Sequence, residues 1–93
     1  MISGTISSEI GRLTNLIDIV LSSTHMKGFL PEELYGLNEL QDLVLGQCNF
    51  TGTLSTRIGQ LVGLQNLDVG FNSFTGTIPT EIGRLESLRS VKL

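Results

Sequence analysis

The stretch LVGLQNLDVGFNSFTGTIPTEIGRL, residues 61–85, decides the fold. Leu61, Leu64 and Leu67 fall three residues apart, and Val69 follows Leu67 by two. The final interval is the alternation expected of a half-buried strand. Working outward, the same order returns every 24 residues, with glycines at Gly4, Gly28, Gly52 and Gly76. Counted from each glycine, the third position is Ile6, Leu30, Leu54, Ile78, and the seventh Ile10, Leu34, Ile58, Ile82. The tenth is Leu13, Leu37, Leu61, Leu85, and the thirteenth Leu16, Leu40, Leu64, Leu88. The sixteenth is Ile19, Leu43, Leu67, Val91, and the eighteenth Leu21, Leu45, Val69, Leu93. The twenty-third is Met26, Phe50, Phe74, with Ile2 one period earlier. Every member of every column is apolar, and no gap is needed.

A gapless repeat of this length marks a solenoid, because one coil cannot bury its own apolar side chains and must stack on its neighbours. The alternation predicts strands near Asp18–Leu21, Asp42–Leu45, Asn66–Val69 and Ser90–Leu93, one per coil, forming a parallel sheet. The return segments, EIGRL at 9–13 and ELYGL at 33–37, are too short for more than a turn or two of helix, expected to be of the 3-10 type. The chain therefore reads as one array, residues 1–93, of just under four repeats at 4–27, 28–51, 52–75 and 76–93. It starts and stops inside a repeat and is read as an uncapped fragment whose exposed ends invite end-to-end self-association.

Composition narrows the function classes. With 93 residues and 40% hydrophobic content, one small domain is expected. The net charge is −3 and the six basic residues, Arg12, Lys27, Arg57, Arg84, Arg89 and Lys92, are scattered, which argues against nucleic acid as a partner. The opening MISGTISSEIGR does not read as a secretory signal, and no run of about 18 apolar residues occurs, so no direct membrane contact is expected. The glycines form no phosphate-binding motif. His25 is the single histidine and Cys48 the single cysteine, so neither a metal nor another cofactor is expected, and Cys48 reads as a buried repeat position, not a nucleophile.

The pattern L-x-x-L-x-x-L-x-L-x-x-N-x-F-x-G-x-I-P-x-x-I-G-x-L in residues 61–85 resembles the plant-type leucine-rich repeat of receptor-like kinases, receptor-like proteins and polygalacturonase inhibitors. The resemblance spans the chain. It implies an α/β leucine-rich repeat solenoid, a right-handed β-α superhelix with its parallel sheet on the concave face and short 3-10 or irregular segments on the convex face. It also implies an asparagine ladder that satisfies backbone groups at the turn after each strand; here the ladder residues are Thr24, Cys48 and Asn72. The G-x-I-P element, implied to form a second, shorter β-structure, is complete at Gly76-Thr77-Ile78-Pro79 and nearly so at Gly28-Phe29-Leu30-Pro31, whereas Ser7 and Ser55 replace the proline elsewhere. The paired-cysteine caps of plant ectodomains are missing from these residues.

Binding in such a scaffold would use the concave sheet. Its outward columns are Asp18, Asp42, Asn66, Ser90 and then Val20, Val44, Asp68, Lys92. Beyond them lie Ser22, Gly46, Gly70 and then Ser23, Gln47, Phe71. Phe71 stands where other coils carry Ser23 and Gln47, so it reads either as an exposed binding anchor or as a lone surface phenylalanine. Asp18, Asp42 and Asp68 suit a basic or amide-rich peptide, or are simply solvated. Carboxylates on an open sheet lack the enclosure that tunes acid–base catalysis, so no enzyme is expected. The candidate binding set is thus Phe71, Asp68, Asp42, Gln47, Asp18, Val44 and Asn66. Asn49-Phe50-Thr51 is an N-glycosylation sequon, and Glu9–Arg12 and Glu81–Arg84 are spaced for ion pairs on a convex turn.

The expected function is a protein- or peptide-binding module, part of a cell-surface receptor-like protein if the parent matches the resemblance. A scaffold array without a dedicated ligand, or a hydrolase inhibitor, are the alternatives.

Overall fold

The computed structural model describes residues 3–22 and 24–93; Ile2 and Ser23, which the repeat assigned to two of its columns, lie outside the described residues. Among the described residues seven strands occur: β1 (Ser3–Thr5), β2 (Asp18–Val20), β3 (His25–Gly28), β4 (Asp42–Val44), β5 (Asn49–Phe50), β6 (Asn66–Asp68) and β7 (Ser90–Lys92). Between them lie 3-10 turns at Ser8–Arg12, Glu32–Gly36, Thr56–Gln60 and Thr80–Arg84. No α-helix occurs among the described residues.

The main sheet runs β2-β4-β6-β7, all parallel. Its rungs are Asp18, Asp42, Asn66, Ser90; Ile19, Leu43, Leu67, Val91; and Val20, Val44, Asp68, Lys92. Pairing partners are one sequence period apart, so each apolar column is a physical ladder. Each of these strands ends one residue before the predicted boundary. Leu21, Leu45 and Val69 still donate their N–H groups to the neighbouring coil, at 2.8, 2.7 and 2.9 Å.

The second sheet, β1-β3-β5, departs from expectation. Its strands precede the G-x-I-P element or stop within its first two residues, and the prolines stand outside them. Proline has no N–H to give a ladder, and Pro31 and Pro79 instead precede the 3-10 turns. Gly28 and Gly52 turn the chain away at φ +85 and +83, a conformation that glycine alone adopts at little cost. Lys27 pairs with Asn49 and Gly28 with Phe50, so the rungs here are 22 residues apart instead of 24. The second sheet is therefore slanted relative to the first.

Ser7 and Ser55 take the proline's backbone conformation, with φ −71 and −70. Each adds a cap: Ser7 Oγ accepts from Glu9 N–H and Ser55 Oγ from Arg57 N–H, both at 3.1 Å. Ser55 also keeps the N–H that proline lacks and donates it to the buried Tyr35 Oη at 3.4 Å. Tyr35 sits where the other coils carry Gly11, Gly59 and Gly83, and its burial was not foreseen from the repeat. Burial pushes its phenol pKa above the ordinary value of 10.0.

The core lies in the middle coils. Leu34, Leu37, Leu40, Leu43, Leu45, Phe50, Ile58, Leu61 and Leu64 are fully buried, and Phe50 stacks on Phe74 at 6.4 Å. In the outer coils the same columns are exposed at Leu13, Ile78, Val91 and Leu93, where no neighbouring coil covers them. On the convex side Arg12 pairs with Glu9 at 3.6 Å, whereas Glu81 and Arg84 form no ion pair among the described residues. Gly59 leaves room for Arg84's stem and for Glu81, whose nearest atoms would lie 3.3 and 3.0 Å from a Cβ placed there. A cross-coil pair, Arg57–Glu32 at 3.3 Å, was not foreseen.

Candidate binding face

The turn after each main strand shapes the face, and the ladder residues shape the turn. Asn72 Nδ2 donates to the carbonyls of Leu45, Val69 and Gly70 at 2.8, 3.2 and 3.1 Å. Its Oδ1 accepts from Phe50 N–H at 3.1 Å. Cys48 is buried and donates its thiol towards Leu21 O at 3.0 Å and Gly46 O at 3.7 Å. Thr24 Oγ1 donates to the same Leu21 carbonyl at 2.7 Å. Thr24 and Cys48 thus meet part of the backbone demand that Asn72 meets in full, because a hydroxyl or thiol has one hydrogen to donate and an amide two.

These turns hold Gln47 and Phe71 at φ +59 and +54, the left-handed region. Bulky L-residues are rare there because Cβ crowds the following carbonyl. Phe71 is 84% exposed, so little packing offsets that cost. It borders a concavity of about 430 Å3 with Gln47, Asp68 and Lys92, floored by Gly46 and Gly70. Asp68 Oδ1 accepts from Gly70 N–H at 3.1 Å, which fixes the carboxylate. That carboxylate leans over Gly46: a Cβ at Gly46 would come within 2.9 Å of it. Asp68 and Lys92 are register partners, so opposite charges sit on adjacent strands beside the phenylalanine.

The remaining candidates form a separate column. Asp18, Asp42 and Asn66 are register partners, and Asn66 Nδ2 donates to Asp42 Oδ1. The asparagine amide, helped by a hydrogen bond from Asp18, holds the Asp42 carboxyl below its usual value. Asp18 is pushed the other way, chiefly by sharing that hydrogen bond with the neighbouring carboxylate. Val44 shares the Asp68 column as its register partner and is half-buried, while its other partner, Val20, is 62% exposed. The structure therefore groups Phe71, Asp68 and Gln47 around one concavity and leaves Asp18, Asp42 and Asn66 on the sheet beside it. Val20, Lys92 and the two floor glycines were visible in the repeat columns but were not singled out. The signal available was their shared register with Asp68 and Phe71. Asn49 lies apart from the main sheet, exposed on β5.

Comparison with known proteins agrees with this architecture. Residues 63–85 match the profile described as Leucine Rich Repeat. No curated protein matches the sequence. Among solved structures, the chain is similar to the ectodomain of the Arabidopsis thaliana membrane receptor kinase GASSHO1/SCHENGEN3, solved in complex with CASPARIAN STRIP INTEGRITY FACTOR 2. That match has a TM-score of 0.94 and 33% identity, over 98% of this chain and 11% of the receptor chain. It is similar to the Arabidopsis receptor kinase HAESA, solved with the peptide hormone IDA and the co-receptor SERK1, at a TM-score of 0.92 and 36% identity over 98% of this chain and 15% of that one. The Arabidopsis thaliana BIR3–SERK2 complex matches at a TM-score of 0.83 and 26% identity, over 95% of this chain and 49% of that one. The chain spans between 11% and 49% of the length of these structures. The chain thus folds as a leucine-rich repeat solenoid, similar to a stretch of these plant receptor ectodomains.

Proposed function

We propose that this chain is a peptide- or protein-binding segment of a cell-surface receptor-like protein, and that it engages its ligand at the concavity around Phe71, Asp68 and Gln47. The observation that carries the reading is Phe71 itself: a phenylalanine in the left-handed region at φ +54, almost wholly exposed on the concave side. Backbone strain retained without compensating packing points to a surface role. Exposed aromatics with few rotatable bonds anchor ligands efficiently. Gly46 leaves room for the Asp68 carboxylate at the floor of the concavity, and Asp68 with Lys92 offers a donor-seeking and an acceptor-seeking group on adjacent strands. All three of the similar structures named above are complexes, one of them with a peptide hormone, which supports a peptide or protein as the class of ligand.

Asp18 and Asp42 extend this site along the sheet towards a cationic ligand residue, with Val20 and Val44 as the apolar strip between them and the Phe71 turn. The test is to pan a phage-displayed random-peptide library against the chain and measure the affinity of the selected peptides for wild type and for Phe71→Ser. Selected peptides that bind both equally well would remove Phe71 from the site. A library that yields no specific binder would favour the scaffold reading.

A further inference from the structure

The sequon Asn49-Phe50-Thr51 begins on β5 and ends just past it, with the middle residue fully buried and the two outer ones exposed. The strand thus presents the acceptor amide and the hydroxyl of the sequon together on the outer face of the second sheet. The Asn49 amide makes no hydrogen bond among the described residues. A second feature of the same face is otherwise unexplained. Phe29 is 74% exposed, and no ring pairs with it among the described residues. Its ring lies against Gly52, so close that a Cβ there would come within 2.5 Å of Cδ1. Lys27 pairs with Asn49 and Gly28 with Phe50, and Phe29 follows just past the end of β3. Thr51 N–H donates to Gly28 O at 3.0 Å, which holds the residue before Phe29 against the sequon. An asparagine side chain extended by one pyranose ring spans the roughly 5 Å between neighbouring strands.

We infer that Asn49 is an N-glycan acceptor whose first sugar lies on the Phe29 ring. In the transfer, Asn49 Nδ2 forms a bond to the anomeric carbon of an N-acetylglucosamine. The bond from that carbon to the diphosphate of a polyisoprenoid-diphosphate oligosaccharide breaks. The amide gives up one proton and the lipid diphosphate leaves. The negative face of the Phe29 ring then meets the C–H face of the sugar, and the ring loses its exposure to water. This rests on the chain passing through the secretory pathway, as the receptor reading above has it, but it involves neither Phe71 nor its concavity.

The test is to secrete the full chain from eukaryotic cells behind a cleaved leader. Mass spectrometry after treatment with a peptide amidase then reports whether Asn49 has become Asp. Modification is expected in wild type and Thr51→Ser, and its loss in Asn49→Gln and Thr51→Ala. Secreted wild-type chain with unmodified Asn49 would overturn the site. An endoglycosidase that leaves one sugar then isolates the platform. The trimmed wild type is expected to melt on the order of 4 °C above Asn49→Gln. In a Phe29→Ser background that gap should close while occupancy persists. An undiminished gap would overturn the contact with Phe29. Occupancy is read without any ligand, so its failure leaves the peptide-binding result standing, and the reverse also holds.

Discussion

Replacing Phe71 by asparagine should make the protein more stable and poorer at binding. The residue sits at φ +54, where a bulky L-residue costs roughly 1–2 kcal/mol and asparagine considerably less, so about 1 kcal/mol is recovered. Against this stands the lost burial of the ring. With 84% of the residue exposed, at most about 0.5 kcal/mol of a buried phenylalanine's 1.5–3 kcal/mol is forfeited. The net gain is about 0.5 kcal/mol, or roughly 2–4 °C in Tm for a domain of this size. Circular dichroism melting at fixed pH measures it. A peptide selected on wild type should at the same time lose about thirtyfold in affinity, the equivalent of an anchor contributing roughly 2 kcal/mol. A fall in Tm would show that the ring packs more than its exposure implies, and the strain argument would fail. A rise in Tm with unchanged affinity would refute the anchor.

Three further outcomes follow from the geometry. Ser55→Pro matches the repeat consensus and fits φ −70, which by itself would stabilise by about 0.4–1 kcal/mol; the lost cap on Arg57 and the lost bond to Tyr35 outweigh that, so urea unfolding should show a net destabilisation of about 1 kcal/mol, and a stabilised protein would disprove the coupling. Asn72→Ala strips the donor from three carbonyls and the acceptor from Phe50 N–H, and should cost roughly 2–4 kcal/mol, against about 1 kcal/mol for Cys48→Ala; equal costs would contradict the ladder as described. Asp18 has its carboxyl raised by Asp42, so its ionisation opposes folding, and that penalty is present above the raised pKa and absent below it. Asp42, lowered by Asn66, contributes in the opposite sense and loses its contribution as pH falls through its depressed pKa. Asp18→Asn should therefore raise Tm at neutral pH and lose that advantage in acid, as melting curves across pH 2–7 would reveal; an advantage independent of pH would exclude the carboxyl pair as its source.

Much of this molecule was legible before any coordinate. The columns from Ile19 to Val91 and from Leu13 to Leu85 reappear as ladders, because burial in a solenoid repeats with the chain's own period. The outward positions Asp18, Asp42 and Asp68 were legible because alternation along a strand sends neighbours to opposite faces, and Phe71 because its column holds Ser23 and Gln47 in the other coils. Other features were hidden. Tyr35 occupies a glycine column, and only the N–H supplied by Ser55 in the next coil explains why its hydroxyl is buried there. The second sheet pairs residues 22 apart, two fewer than the repeat, and that offset is what sets the strand leading to Phe29 beside the Asn49 sequon.

By itself the sequence determined the coil length, the residues that face the core and the likeness to leucine-rich repeats, because each follows from one periodic pattern of apolar burial. The tertiary structure alone decided which outward residues share a surface. It separated the Phe71 concavity from the Asp18–Asp42 column, and it put Phe71 into a left-handed turn held by Asn72. The physical reason is that hydrophobic periodicity fixes the distance of each residue from the core, whereas lateral grouping depends on how one coil's turns and hydrogen bonds register against the next.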